Sequence, residues 1–116
     1  MPTILDYAGL SVPEEIHGRS VRPLVEGRDV AWRDHAFCQR AGAGRMLRTE
    51  RYKFVYRPEP RIVALYDLEN DPYEDRNLAA DAAHAATVRR MHGRLLEVMA
   101  HDGDPMHARY TGDPLG

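Results

Sequence analysis

The clearest pattern of apolar and polar positions lies near the end of the chain, where apolar side chains recur at steps of three and four. The stripe consists of Val88, Met91, Leu95, Val98 and Met99. This spacing predicts an amphipathic helix over residues 81–101 that covers one face of a sheet. Asp81 is a suitable N-cap, and the sequence Gly-Asp-Pro that begins at Gly103 is expected to end the helix. Gly93, in mid-helix, predicts a close approach to the sheet at a cost of about 1 kcal/mol relative to alanine.

Four short segments before this helix have the composition of β-strands. They are residues 32–40, 45–49, 52–56 and 62–68. Short turns join them, including a flexible one at residues 41–44, and this favours antiparallel pairing. In the third segment, Tyr52 and Phe54 should point to one face, with Lys53 and Val55 on the other. The predicted fold class is therefore α+β, a four-stranded antiparallel sheet with a long C-terminal helix packed on one face.

The first residues indicate a lead-in to this domain. Residues 3–9 should be the last turns of a helix, with Gly9 as a left-handed C-cap. After a loop, Ser20 is predicted to cap a short helix that Gly27 closes. The abrupt start at Met1 is what we expect of a helix cut from a longer one.

These patterns divide the chain into one domain, residues 1–103, and a tail, residues 104–116. Within the domain, residues 1–30 are a helix end and a loop, residues 32–68 the sheet and residues 81–101 the helix. The tail has Gly and Pro turn signals and little apolar content, so we expect it to be loose.

Composition narrows the functional classes. A chain of 116 residues, 43% hydrophobic and 29% charged, is typical of one globular domain. A net charge of -2 gives no electrostatic case for nucleic acid or an anionic membrane. The single Cys cannot form an internal disulfide. No signal peptide and no apolar run of roughly 20 residues is present, so the expectation is a soluble protein, cytoplasmic by default.

The stretch between the last strand and the helix is rich in oxygen ligands. The residues that form the structural motif of this stretch are Leu65, Tyr66, Asp67, Leu68, Asp71, Pro72, Glu74, Asn77 and Leu78. A calcium loop of the EF-hand type counted from Asp67 would need Gly at position 72 and Glu at position 78, where Pro and Leu stand. These polar side chains are therefore predicted to build the turn, cap backbone N–H groups and pair with Arg76.

The same stretch carries a family resemblance. Leu-Tyr-Asp-Leu-x-x-Asp-Pro-x-Glu-x-x-Asn-Leu, beginning at Leu65, resembles a segment near the C-terminus of type I sulfatases, in the alkaline phosphatase superfamily. Met-Pro-Thr-Ile-Leu-Asp-Tyr-Ala-Gly at residues 1–9 and Arg-Thr-Glu-Arg-Tyr-Lys at residues 48–53 resemble two further segments of that family. The three stretches occur in family order, and the resemblance covers residues 1–101.

The family's nucleophile signature is missing. It reads Cys-x-Pro-x-Arg, and its Cys or Ser becomes formylglycine. After Cys38, position 40 is Arg instead of Pro and position 42 is Gly instead of Arg. The resemblance implies a C-terminal subdomain of an arylsulfatase-like sulfuric ester hydrolase, structural and cleft-shaping, without the catalytic N-terminal part. The resemblance also implies that this subdomain has no cofactor of its own and is inactive alone, because calcium and formylglycine would belong to the catalytic part.

The implied partner is a sulfatase catalytic domain, with a homo-oligomer as a further possibility and neither nucleic acid nor membrane as a partner. The alternative is a stand-alone binding or oligomerisation module derived from a sulfatase. If the resemblance holds, His17 and Arg19 are candidates for the rim of the substrate cleft. A third interpretation, an independent enzyme that uses Cys38 or His17, has less support, because Cys38 is expected to be a buried structural residue.

Two groups of residues have both a functional and a structural interpretation. The histidines are His17, His35, His84, His92, His101 and His107, and without a zinc spacing they are expected on the solvated surface. The basic hairpin consists of Arg45, Arg48, Arg51, Lys53 and Arg57 around two tyrosines. Such interleaving can bind anionic polymers, but we favour a charged strand edge that blocks edge-to-edge pairing.

Overall fold

The computed structural model describes residues 1–40, 44–112 and 115. The predicted turn at residues 41–44 lies outside the described residues except for Gly44. The chain forms two compact units, Met1–Arg33 and Asp34–Gly116.

The first unit contains two short helices. Helix α1 spans Pro2–Tyr7 and helix α2 spans Arg22–Val25. Neither helix, both described in full, has a buried residue. Gly9 has a φ of 69° and follows the C-cap of α1, as predicted, so the chain reverses there without strain.

Ser20 does not occupy the predicted cap position, because the N-cap of α2 is Val21. The Ser20 hydroxyl instead donates to the Asp6 carboxylate at 2.6 Å and accepts from the Arg22 N–H at 3.2 Å. Arg22 also bonds Asp6, with its Nη1 at 3.1 Å from Oδ1. Ser20 therefore ties the two helices of this unit together instead of starting the second one.

The second unit contains the predicted sheet. Its strands are β1, Ala36–Arg40; β2, Gly44–Arg48; β3, Tyr52–Arg57; and β4, Ile62–Asp67. They pair in sequence order, and every pair is antiparallel. The first strand begins four residues later than residue 32, at Ala36. The α+β fold class predicted from the sequence is confirmed.

One long helix covers the sheet, as predicted. A 3₁₀ turn, Ala82–His84, leads into helix α3, Ala85–His101. The Asp81 carboxylate accepts the Ala83 N–H at 3.0 Å and so caps the 3₁₀ turn. The interpretation of Gly93 was wrong: this residue is exposed, and no heavy atom of the described residues lies within 4 Å of where its Cβ would stand.

The core forms between the helix and one face of the sheet. Leu47, Phe54 and Leu65 stand side by side on neighbouring strands and are fully buried. Leu95 and Met99 of α3 are also fully buried and belong to the same cluster. Phe54 is thus on the helix side, as the alternation in β3 predicts.

The opposite face of the sheet carries a row of small and apolar residues, which we call the outer row. It consists of Cys38, Met46, Val55 and Ala64, each paired with the next across the four strands. Because side chains alternate along a strand, this row faces away from α3. Cys38 is exposed, so the prediction that it is buried was wrong: it lies on an edge strand and on the face that the helix does not cover.

The prediction of a loose tail was wrong for residues 104–112. Helix α4 spans His107–Thr111, and Tyr110 is buried in the core with 2% of its surface exposed. The Tyr110 hydroxyl donates to the Tyr56 carbonyl at 3.2 Å. Asp104 is buried as well. One aromatic ring and one carboxylate therefore fix a segment whose average composition is that of a loop.

Candidate functional site

The turn after β4 is organised around the Asp67 carboxylate. Arg51 donates to both of its oxygens, from Nε at 3.0 Å and from Nη2 at 2.8 Å. Asn70 donates its side-chain N–H at 2.9 Å, and Glu69 its backbone N–H at 3.3 Å. These hydrogen bonds, with Arg51 the largest cause, lower the pKa of Asp67 to about 2. Asp67 stays ionised and serves the fold.

Asn77 extends the free edge of β4. Its Oδ1 accepts the N–H of Leu65 at 3.0 Å and that of Ala79 at 3.0 Å, and its Nδ2 donates to the Val63 carbonyl at 3.1 Å. A side-chain amide thus replaces a neighbouring strand. The Leu78 N–H also bonds the Leu65 carbonyl, at 2.8 Å.

Asp71 and Glu74 hold the tip of the turn. The Asp71 carboxylate accepts the backbone N–H groups of Asp75 at 3.0 Å and Arg76 at 2.9 Å. Glu74 has a φ of 60° and pairs with Lys53 at 2.6 Å. Asp71 therefore caps backbone groups, whereas Glu74 pairs with a lysine. The side chain of Arg76 reaches Asp81, at 3.5 Å, and not the acids of the turn.

The basic hairpin is largely neutralised within its own domain. Its partners are Asp104 for Arg45, Asp67 for Arg51, Glu74 for Lys53 and the Pro60 carbonyl for Arg57. The charges of Arg45, Arg51 and Lys53 are therefore compensated by carboxylates, which lowers the charge that the hairpin can offer to an anionic polymer.

The candidate rim residues lie in the first unit. His17 is exposed, and the Arg19 guanidinium lies 4.7 Å from the Trp32 ring centroid while its Nη1 donates to the Ala31 carbonyl at 3.1 Å. Arg19 is therefore held in place, whereas His17 presents its ring to solvent.

His92 is the exception among the histidines. It has only 8% of its surface exposed and packs edge-on against Tyr56, with ring centroids 4.7 Å apart. The expectation of a surface position was wrong for this residue, because it lies on the buried face of α3 between Val88 and Leu95. Its place in the apolar stripe was the signal in the sequence.

No metal centre forms in the part of the chain that the structure describes. Among residues 1–40, 44–112 and 115, no group of three or more His, Cys, Asp or Glu side chains is placed to hold a metal ion. No helix within these ranges has the length and apolar content needed to cross a bilayer.

A cavity of about 350 Å³ lies where β2, the β3–β4 turn and α4 meet. Arg45, Arg57 and Arg109 are among the residues that line it. Sequence reasoning missed it, because residues 104–112 were expected to be loose. The ion pair between Asp104 and Arg45 joins residues that are 59 positions apart, so no local sequence pattern predicts it.

The fold and the turn together define a class of protein module, the α+β subdomain that ends sulfatases. The chain belongs to the family described as N-sulphoglucosamine sulphohydrolase, C-terminal, whose sequence model matches residues 1–101. This agrees with the resemblance drawn from the Leu65–Leu78 stretch.

Individual relatives support the assignment. An arylsulfatase of Clostridium perfringens is 35% identical over 83 residues, which is 67% of this chain and 17% of that protein. A multifunctional alkaline phosphatase superfamily protein of Trinickia caryophylli is 31% identical over 140 residues, which is 100% of this chain and 26% of that protein. The solved structure of a 2-O GAG sulfatase superposes with a TM-score of 0.77 at 28% identity, over 92% of this chain and 25% of that one. The chain thus spans between 17% and 26% of the length of these three proteins.

Proposed function

We propose that this chain acts as the non-catalytic, cleft-shaping C-terminal part of a sulfatase-like sulfuric ester hydrolase. Its role is to pack against a catalytic part that supplies the nucleophile and the metal. The joined protein would hydrolyse a sulfate monoester, with calcium and formylglycine held by that catalytic part. Support comes from the family membership and from the apolar surface that the chain presents.

The observation that carries the proposal is the exposed apolar surface of the first unit. The exposed large apolar side chains there are Met1, Ile4, Tyr7, Leu10, Val21, Leu24 and Val25. The second unit has only two such side chains among its described residues, Ile62 and Tyr73. So many apolar side chains exposed in 33 residues are typical of a docking surface.

The outer row of the sheet supports the same role. Cys38, Met46, Val55 and Ala64 form an apolar band across all four strands on the face without the helix. A sheet in a layered domain normally buries both faces or solvates one with alternating polar residues. The apolar composition of this band is typical of a sheet face that is covered in the folded protein. We infer that the catalytic part covers it.

The polar residues of the family stretch support a structural role instead of catalysis. Asp67, Asp71, Glu74 and Asn77 direct their side chains to Arg51, Lys53 and backbone groups of the same domain. Groups held in such bonds are poorly suited to donate or accept protons from a substrate. His17, with its exposed ring, remains the candidate for contact with substrate at the cleft rim, and Arg19 would position the same loop.

The test is complementation between two polypeptides. The reading frame upstream of codon 1 is expressed alone, the 116-residue chain is expressed alone, and the two are then mixed. Hydrolysis of 4-nitrophenyl sulfate is expected only from the mixture or from the joined protein. A matched mixture with bovine serum albumin in place of this chain controls for nonspecific stabilisation.

Three results would overturn the proposal. Hydrolysis by this chain alone, abolished by Cys38→Ala or His17→Ala, would make it an independent enzyme. An upstream frame without a Cys-x-Pro-x-Arg or Ser-x-Pro-x-Arg signature, together with a defined oligomer of this chain in sedimentation, would favour the stand-alone module. Full activity of the upstream part alone would also remove the cleft-shaping role.

A further inference from the structure

The sheet face without the helix places the outer row between two sets of basic residues. On one side of the outer row, the residues paired across the strands are Ala36, Arg48, Lys53 and Tyr66. On the other side they are the pairs Arg40–Gly44 and Arg57–Ile62. Side chains alternate along a strand, so all of these residues face away from α3. Within the four strands, which the structure describes in full, no acidic residue stands on this face.

Arg40 and Arg48 differ from the other two cations of this face. Lys53 pairs with Glu74 at 2.6 Å, and Arg57 donates to the Pro60 carbonyl at 3.0 Å. Arg40 and Arg48 are both exposed. In the part of the chain that the structure describes, neither has a side-chain hydrogen bond or an ion pair. The charges of these two residues are therefore available to a partner.

The two available charges lie at opposite ends of the outer row. Arg40 stands opposite Gly44, and Arg48 is four residues further along β2. At about 3.4 Å per residue, the two arginines are separated by about 14 Å along the strands. Cys38 and Met46 stand between these two levels, and Met46 is half-buried although no helix covers it. The surface thus has an apolar centre with one cation on either side.

This pattern restricts what can cover the face. Two copies that met through their outer faces would bring arginines together without any carboxylate from either sheet, and like charges in an interface are costly. A nucleic acid would pair with the arginines but would leave Met46 and Val55 without an apolar contact. A protein surface with an apolar centre and carboxylates beside it satisfies both requirements.

The remainder of the joined protein is the partner that best fits this description. The relatives described above have most of their length outside the region that this chain matches. We propose that the catalytic part covers the outer row with an apolar surface whose carboxylates pair with Arg40 and Arg48. The inference rests on the proposed function and adds the chemistry of the partner surface, which is acidic at two places about 14 Å apart.

Cys38 provides a direct measurement of this contact. It is the only Cys of the chain, it belongs to the outer row, and it is exposed. The rate at which N-ethylmaleimide alkylates Cys38 is followed by mass spectrometry of its tryptic peptide, in the 116-residue chain and in the joined protein. We expect alkylation to be slower in the joined protein by about tenfold or more, because a docked surface excludes the reagent.

Salt distinguishes an acidic cover from a purely apolar one. The protection of Cys38 is the rate in the 116-residue chain divided by the rate in the joined protein. Between about 0.1 M and about 1 M sodium chloride, screening of the two ion pairs should lower this ratio. An apolar contact without ion pairs would keep the ratio unchanged or raise it.

Charge variants identify the residues that make the contact. Arg40→Glu combined with Arg48→Glu should lower the protection of Cys38 by about tenfold or more, and the two Gln substitutions by about threefold. The two Lys substitutions keep the charge and should retain most of the protection. Arg89→Glu combined with Arg90→Glu makes the same change of charge on the exposed side of α3 and should leave the protection unchanged.

Two controls make these rates comparable. Charges beside a thiol alter its reactivity, so each rate in the joined protein is compared with the rate of the same variant in the 116-residue chain. The thermal midpoint of each variant chain is also measured. If the Glu variant is not folded, the Gln variant takes its place, because it removes the charges of the exposed arginines without adding new ones.

The outcomes separate this inference from the proposed function. If the joined protein hydrolyses 4-nitrophenyl sulfate but Cys38 is not protected, or is protected regardless of salt and of Arg40 and Arg48, the acidic cover is wrong and the proposed function stands. Protection that depends on the two arginines in a joined protein without hydrolytic activity would support the acidic cover and contradict the proposed function. Protection of Cys38 in the 116-residue chain alone at rising concentration would assign the face to a second copy and overturn the inference.

Discussion

Arg45 on β2 and Asp104 after helix α3 form a two-point ion pair although 59 positions separate them in the chain. Nε of Arg45 lies 2.5 Å from Oδ2 of Asp104, and Nη2 lies 2.9 Å from Oδ1. Both side chains are almost removed from water, with 9% and 1% exposed. The hydrogen bonds from Arg45 lower the pKa of Asp104, so the pair is ionised at neutral pH. It fixes the segment after α3 to strand β2 of the sheet.

Asp104→Asn should destabilise the chain strongly. The substitution leaves the buried Arg45 guanidinium without a counter-charge, and breaking a buried pair from one side costs about 3 kcal/mol. Urea unfolding followed by circular dichroism measures the loss. Glu59→Gln breaks the exposed pair with Arg109 and is the matched control, with an expected cost below about 1 kcal/mol. Similar losses for the two variants would contradict the importance assigned to burial.

Asp67 should contribute to stability in a pH-dependent way. Its pKa is lowered from 3.8 to about 2 in the folded chain, so folding favours the ionised form. The contribution is therefore fully present above about pH 5 and is lost as the pH falls through about 2. Its size is about 1–2 kcal/mol, because solvent around the half-exposed Arg51 side chain screens the interaction.

Comparison of wild type with Asp67→Asn isolates this contribution. Stability measured by urea unfolding at pH 7, 5, 4 and 3 should fall more steeply for wild type than for Asp67→Asn between pH 5 and 3. Other carboxylates with lowered pKa values, Asp104 among them, cause acid loss in both proteins and cancel in the difference. Parallel curves would show that the pairing of Asp67 with Arg51 carries no net stability.

Local patterns predicted the fold well. The period of the apolar residues in α3 and the alternation in β3 placed Leu95 and Phe54 on the two sides of the core, where the structure has them fully buried. A period of 3.6 or 2 residues fixes which face of an element is apolar, and burial then follows.

Long-range pairing was not predictable from the same patterns. Asp104 was assigned to a loose tail because its partner, Arg45, lies on a distant strand. Cys38 was expected to be buried because an apolar residue beside Phe37 does not reveal which face the helix covers. The candidate cavity forms between residues 44–59 and residues 106–110, which are distant in the sequence, so no local motif predicts it.

Gly93→Ala should stabilise the chain by about 1 kcal/mol. The residue is exposed in the middle of α3, and an added methyl group meets no heavy atom of the described residues within 4 Å. The gain comes from the reduced conformational freedom of the unfolded chain. Thermal unfolding should show a higher midpoint, and an unchanged midpoint would mean that the helix is bent or frayed at this position.

Gly103→Ala is the matched control for this substitution. A Cβ at Gly103 also meets no atom within 4 Å among the described residues, but its φ is 65°. Because a residue with a side chain is strained in that region, the same added methyl group should destabilise by about 1 kcal/mol. A gain in stability for Gly93→Ala and a loss for Gly103→Ala would show that backbone strain, and not packing of the added methyl group, causes the difference between the two variants.

The apolar surface of the first unit should act in docking and not in folding. Ile4 and Val25 are 73% and 69% exposed, so Ile4→Gln combined with Val25→Gln should leave the thermal midpoint of the chain within about 2 °C of wild type. If both side chains are buried against the catalytic part, each contributes about 1 kcal/mol or more to docking. The concentration of the double variant that is needed to restore 4-nitrophenyl sulfate hydrolysis should then be higher than that of wild type by about tenfold or more.

Arg89→Gln combined with Arg90→Gln, on the exposed side of α3, is the matched control and should restore activity like wild type. Fluorescence of 8-anilinonaphthalene-1-sulfonate gives a second readout, since the dye binds exposed apolar surface and its signal should fall only for the Ile4 and Val25 variant. If that variant restores activity at the wild-type concentration, the first unit is not the docking surface. The outer row on the sheet would then have to provide the contact, and Met46→Gln, which changes that row, would be the next substitution to lose activity.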